Sequence, residues 1–200
     1  GVVGLAVAAK ISENNGNVFL LEKNSRYGQE TSGHNSGVIH SGIHYPKKTL
    51  KATLCVRGNT MLYALCSKYQ IPFKRLGKLT VAVSEEETDE LDKLMRMGID
   101  NGVEGLKFLD EKQVKELETN VEVKKALLSP STGILEPDEL MNHFHAQMRK
   151  NSATMVAETE ATSIRKLQDC YELTGTSVGE KFQITAKIVI NCAGLHSSKI

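Results

Sequence analysis

The sequence predicts an α/β chain, α+β overall, in which a parallel-sheet domain is interrupted by a segment of antiparallel sheet. Three observations predict it. The chain opens on glycines spaced G-x-x-G that run into a small-residue apolar helix and then a short apolar strand. It closes on a second apolar stretch, residues 186–195, that ends in small residues. Between them, residues 71–134 alternate short strands with charged helices.

The opening elements come first. Gly1-Val2-Val3-Gly4 leads into LAVAAKIS, a helix that stops near Asn15-Gly16, both good helix terminators. Asn17-VFLLE follows as a buried strand ending in Glu22. Together these form the second half of a GxGxxG dinucleotide fingerprint, so the first glycine and first strand are expected before residue 1. In that motif Gly1 and Gly4 let the backbone approach a pyrophosphate at a helix N-terminus. The acidic residue after the second strand, Glu22, bonds the ribose hydroxyls. It lies 18 residues past Gly4, close to the usual spacing of about 20. An αβ turn that binds nothing is the plain alternative. Nicotinamide and flavin enzymes both fit to this point. Lys23-Asn24 and a long polar loop then replace the second βα repeat of a nicotinamide domain, which favours a flavin and a Rossmann-like domain for FAD.

That loop includes TSGHNSGVIHSG, residues 31–42. It is too polar for a core strand and too broken for a helix, with Val38-Ile39 as its apolar anchor. A helix is expected from about Thr49 to Tyr69, with Leu50, Leu54, Met61, Leu62 and Leu65 on its buried side. Phe73 to Val83 alternates as one strand. Ser84 opens a helix with Glu87 at its third position, a capping box, and acidic residues in that turn suit the dipole. The helix ends near Asn101-Gly102. LKFLD is a strand, and Asp110 caps a helix through Leu117. Gly77-Lys78 is not a phosphate loop, because Pro72 and Leu79 stand where glycine and Ser/Thr are needed. Another helix starts at Pro137. Strands are expected over 154–164, 168–174 and 182–186, with a polar turn over 175–181, before the buried strand 186–195. The expected division is 1–70 with 135–200 as the cofactor domain and 71–134 as part of a substrate domain, incomplete at both ends.

Composition narrows the function. Hydrophobic residues make up 40% and charged residues 24%, ordinary for a globular protein, and the net charge is +1. Basic residues form no stripe, so a nucleic-acid surface is not expected. No apolar run approaches the ~20 residues of a membrane span. Cys55, Cys66, Cys170 and Cys192 form no CxxC pair and are expected as reduced thiols. His40 and His44 have the i,i+4 spacing of a metal helix, but Ser41-Gly42 is poor helix and no third ligand is evident, so no metal is expected. His143 and His145 are expected on a partly exposed helix surface.

Five segments then carry a resemblance: GHNSGVIHSGIHY (33–45), LKATLCVRG (50–58), GKLTVAV (77–83), TGILEPDEL (132–140) and NCAGLHS (191–197). They occur in the order and spacing of FAD-dependent oxidoreductases of the D-amino-acid-oxidase and glycerol-3-phosphate-oxidase group. Within that group the chain resembles the N-terminal half of the L-2-hydroxyglutarate dehydrogenase family. The resemblance implies FAD as cofactor, L-2-hydroxyglutarate as substrate and 2-oxoglutarate as product. It implies a downstream electron acceptor, a quinone or an electron-transfer flavoprotein, with peripheral membrane association in view, and a mitochondrial location. Lys23, Thr31, Ser32, His34, Asn35 and Ser36 would join Gly1, Gly4 and Glu22 as cofactor contacts, with Ala161, Ala193 and Gly194.

HSGIHY (40–45) is similar to the HGGxRY segment of glycerol-3-phosphate dehydrogenases. Carried over, His40 would be the catalytic base, which suits a side chain whose pKa lies near working pH. His44 departs from both families' patterns and is a substrate-binding candidate with Tyr45. Lys51, more than Arg57, would supply a cation to a dicarboxylate. A related enzyme acting on an amine, another hydroxy acid or glycerol 3-phosphate is the first alternative. A non-catalytic FAD-binding fragment is the second.

Overall fold

The computed structural model describes residues 1–200. In chain order the elements are α1 (Val2–Ser12), β1 (Phe19–Leu21), β2 (Val38–Ile39), α2 (Leu50–Tyr69), β3 (Phe73–Lys74), β4 (Lys78–Ala82), α3 (Glu85–Asp100), β5 (Lys107–Leu109), α4 (Glu111–Leu117), β6 (Lys125–Ser129), β7 (Gly133–Leu135), α5 (Pro137–Lys150), β8 (Thr154–Val156), β9 (Thr159–Lys166), β10 (Tyr171–Ser177) and β11 (Glu180–Ala186), then a 3₁₀ helix, Gly194–Lys199. They form two compact units, Gly1–Asn35 with Pro137–Ile200, and Ser36–Glu136. Residues 36–70, grouped with the first part on sequence grounds, pack in the second unit.

In the first unit, β1 and β8 pair in parallel, Leu20 beside Met155. α1 packs on α5 around Leu5, Ala8, Ala9, Met141 and Met148. The small residues of α1 bring the helices close, and truncating Leu5, which is fully buried, would cost about 2–5 kcal/mol. Asn15 Nδ2 donates to the Ile11 carbonyl, which ends α1 where the sequence places its stop. β9, β10 and β11 form an antiparallel sheet. Here the expected turn over 175–181 shrinks. Gly175 to Ser177 belong to β10, and the reversal is Val178-Gly179, both at positive φ, as tight hairpins require.

The expected buried strand 186–195 is corrected. Only Ala186 lies in a strand, as the last residue of β11, and residues 187–193 join no ladder. Ile188 and Ile190 are 78% and 50% exposed. An apolar run becomes a buried strand only when neighbouring strands pair with it, and this one pairs with neither β1 nor β8.

The second unit holds two antiparallel sheets, ordered β2-β7-β3 and β4-β6-β5. Ala82, Leu91 and Leu127 form one core, and Leu109, Val114, Val123 and Ala126 another. Val38-Ile39 does anchor its loop: it pairs with Ile134-Gly133, and Ile39 is buried. The single strand expected over 73–83 is two, broken at Arg75–Gly77 where Gly77 takes φ +77°. Ser84 caps α3 as expected, but the Glu87 carboxylate accepts from Val83 N rather than Ser84 N. The full reciprocal box is at Asp110 and Gln113 of α4.

The buried face of α2 is also corrected. Ala52, Asn59, Tyr63 and Cys66 are buried, whereas Leu50, Leu54 and Met61 are exposed. Two polar side chains win that face because each finds partners there. Asn59 Nδ2 donates to the His40 and Ser131 carbonyls, and Tyr63 Oη donates to Ser131 O. Leucine offers apolar area but no donor.

Candidate functional site

In the first unit Ser32 and Glu22, two of the residues expected at the cofactor, lie at the amino end of α1. Val2 N donates to Ser32 Oγ at 3.0 Å, so the polar loop caps the helix. Glu22 is the residue after β1, its main-chain N–H bonded to Val156 O. Its side chain is only 14% exposed, with Oε2 3.6 Å from the Gly1 nitrogen. Oε1 accepts from Asn24 N at 3.1 Å. A Cβ on Gly4 would sit 3.3 Å from Leu20 Cδ1 and 3.4 Å from Cys192 Cβ, so the glycine permits close helix–strand packing.

The loop itself is ordered by its own backbone. A Cβ on Gly33 would fall 2.0 Å from the Gly28 carbonyl oxygen, a contact no side chain can make. His34 Nδ1 meets Glu30 O at 2.9 Å, and Asn35 Nδ2 donates to Ser32 O at 2.7 Å and to Thr31 O. Thr31, His34 and Asn35 therefore hold the turn, and Ser32 caps the helix. Lys23 pairs with Glu30 at 2.8 Å. The hydrogen bond from Lys23 holds the Glu30 carboxyl below its ordinary range, and Glu30 raises Lys23. Tyr27 Oη donates to Asn142 Oδ1, which fastens the loop to α5. Ala161 lies in β9 opposite Gly175, and Ala193 and Gly194 open the 3₁₀ helix.

In the second unit His40, His44, Tyr45 and Lys78 line one small pocket with Ser41 and Thr132. His40 and His44 sit on an irregular turn, not a helix. The His40 carbonyl is held by Asn59 Nδ2 at 3.0 Å and faces Cys55 Sγ, while its side chain is exposed. Asn101, the C-cap of α3, donates to the carbonyls of Gly42 and Tyr45 at 3.0 and 2.7 Å. The turn is thus pinned by two asparagine side chains. Lys51 Nζ lies 4.6 Å from the centre of the Tyr45 ring, a cation–π contact. His44 Nε2 is 3.0 Å from Lys78 Nζ. Desolvation of the His44 ring, then the charges of Lys78 and His40, hold its pKa below the usual histidine value. Ser36 belongs to this unit, at its first residue.

Asn59 is not singled out in the sequence, and Asn101 and Lys78 are read there only as a helix end and as no phosphate loop. Their partners lie 19 to 72 residues away, and no local motif marks such pairings.

The whole chain, residues 1–200, matches the FAD dependent oxidoreductase (DAO) family model. The chain belongs to that family. An Arabidopsis thaliana protein named L-2-hydroxyglutarate dehydrogenase, mitochondrial, is 46% identical over 141 residues, 70% of this chain and 29% of that protein. The Nematostella vectensis protein of the same name is 34% identical over all of this chain and 46% of its own length. A glycerol 3-phosphate dehydrogenase from Caloramator mitchellensis is 35% identical over 100% of this chain and 41% of its own. The chain thus spans less than half the length of these relatives. L-α-glycerophosphate oxidase from Mycoplasma pneumoniae, solved with FAD bound, superposes with a TM-score of 0.88 at 26% identity, over 98% of this chain and 52% of that one. Glycine oxidase from Geobacillus kaustophilus shares the fold, with a TM-score of 0.86 at 20% identity over 100% and 54%. FAD is the family's cofactor. The residues present fit its dinucleotide part: a helix amino end, a glycine at the close approach, and a half-buried carboxylate beside them able to accept ribose hydroxyls.

Proposed function

We propose that the full-length protein oxidises L-2-hydroxyglutarate to 2-oxoglutarate. The observation that carries this reading is the 46% identity to the Arabidopsis relative of that name. The pocket chemistry supports it. Two imidazoles and an ammonium line it, a set suited to an anionic hydroxy acid.

FAD, when bound, supplies the acceptor for two electrons. The chain's own part is binding and proton transfer. Gly1, Gly4 and the α1 amino end would receive the pyrophosphate, Glu22 would accept from the ribose, and Lys23, Thr31, Ser32, His34, Asn35, Ser36, Ala161, Ala193 and Gly194 complete the proposed contacts. His40 accepts the proton of the C2 hydroxyl as the C2 hydride departs, leaving a carbonyl. Asn59 and Asn101 hold the turn that carries His40, so the imidazole is presented at fixed backbone geometry. Tyr45, His44 and Lys51 surround the substrate. The electron acceptor, a quinone or an electron-transfer flavoprotein, belongs to the same proposal, as do peripheral membrane association and the mitochondrial location that the names of the plant and animal relatives carry.

A second reading, glycerol 3-phosphate as substrate, is favoured by the Caloramator relative. His44 in place of the arginine of HGGxRY weakens it. The test uses the full-length flavoprotein under anaerobic conditions. Its visible absorbance should bleach with L-2-hydroxyglutarate and not with the D form. Bleaching by glycerol 3-phosphate instead would replace the first reading with the second. A protein that holds no FAD after reconstitution would remove both.

A further inference from the structure

We infer that Lys78 is the residue that holds the carboxylate of the acid substrate, and that His44 positions it. The inference rests on the hydroxy-acid reading above.

Three observations carry it. Lys78 opens β4, and its side chain enters the pocket lined by His40, His44 and Tyr45. Its backbone place is fixed from two sides: Lys78 pairs with Ser129 of β6, and Gly77 N donates to Thr132 O. Its partner is an imidazole and not a carboxylate. Lys10, Lys23, Lys47, Lys93, Lys124 and Lys125 each pair with an Asp or Glu. Lys78 makes no such ion pair, as is true of other lysines of the chain, but it is the lysine that lines the pocket with the two histidines, at intermediate exposure.

An ammonium without an ion-pair partner is open to an incoming anion, and hydrogen bonds between ionised groups are the stronger kind. The ammonium has three N–H donors, and one is directed to His44 Nε2. The others remain for an oxygen ligand. The neutral imidazole suits this task, because it takes a hydrogen bond without cancelling the charge. A carboxylate in place of His44 would close the ion pair internally and remove the site. Lys51 is engaged differently, with its ammonium over the Tyr45 ring, so the two lysines do not duplicate each other.

The test uses the full-length flavoprotein and three variants, Lys78→Met, Lys78→Arg and His44→Asp. FAD content and far-ultraviolet circular dichroism establish that each is folded. The half-saturating concentration for flavin reduction is measured with L-2-hydroxyglutarate, glycerol 3-phosphate and glycine, and calorimetry follows the binding of glutarate, which has no hydroxyl to oxidise. Loss of one charge-assisted contact predicts a rise of roughly ten- to hundredfold in KM and in the glutarate Kd for Lys78→Met. Lys78→Arg should recover part of the loss, and His44→Asp should resemble Lys78→Met. An unchanged KM and glutarate Kd in Lys78→Met, with L-2-hydroxyglutarate still oxidised, would overturn the Lys78 assignment and leave the proposed function standing. Oxidation of a different anionic compound, with its KM raised by Lys78→Met, would keep Lys78 as the anion-holding residue and remove the substrate reading. Oxidation of glycine with a KM that Lys78→Met leaves alone would remove both. Should Lys78→Met fail to fold, Lys78→Arg together with His44→Asp decides the same question.

Discussion

The side-chain amide of Asn59 donates to the main-chain carbonyl of His40 at 3.0 Å and to that of Ser131 at 2.9 Å. A helix residue thus fixes two loops with one group, off the leucine stripe that the sequence leads one to expect inside. Asn59→Leu would leave both carbonyls short of a donor, at a cost of about 1–3 kcal/mol each. The unfolding midpoint in denaturant should fall, and kcat should fall with it because the turn carrying His40 loosens. An unchanged midpoint would show that water replaces the amide without loss.

His40→Ala in the full-length enzyme tests the base directly. Positioned general bases contribute roughly 10²–10⁴-fold, so turnover should drop by that order while FAD content stays the same. Turnover at the parental level would remove His40 from the chemistry and leave it as part of the pocket wall.

Glu22→Ala addresses the ribose contact. Losing a carboxylate that accepts hydroxyl hydrogens should weaken FAD binding by an amount set by about 1–3 kcal/mol, read as flavin lost on dialysis. Full retention would mean that Glu22 serves only to bind Asn24 and the start of α1.

Gly33→Ala probes the loop without touching any charged group. The added methyl collides with the Gly28 carbonyl, and relief requires a backbone shift costing about 1–3 kcal/mol. The loop would leave Ser32 out of reach of Val2 N, and FAD retention should suffer. Gly16→Ala, where an added Cβ meets nothing within 4 Å, serves as the control.

The pH dependence follows from His44. Its folded pKa lies below the unfolded value near 6.5. Above that value the ring is neutral in both states and the fold is favoured. As pH falls from 6.5 through the folded pKa, the unfolded chain binds the proton first, so stability is lost. His143 and His145 are shifted the same way by burial and add to the slope. Unfolding midpoints at pH 7.5 and 5.5 should differ less in His44→Gln than in the parent. Equal differences would show that His44 titrates as it does in water.

Much of this was legible in the residues. Gly1, Gly4 and Glu22 carry a local motif, and local motifs survive because turn, helix and strand form from neighbours in sequence. The caps at Ser84 and Asp110 are read for the same reason. Val38-Ile39 betrays itself as the one apolar pair in a polar loop.

Two things depended on partners far along the chain. Whether Ile188 and Ile190 are buried depends on strands beside them, which apolar content alone does not supply. Which face of α2 points inward was decided by carbonyls at His40 and Ser131 that need donors, and an unmet carbonyl outweighs an exposed leucine. The amino-acid order by itself determined the family, the cofactor motif and the turn bearing two histidines. Only tertiary structure decided that Lys78, 34 residues from His44, stands beside it, because β4 and the turn at 40–45 meet through side chains and not through a shared sequence pattern.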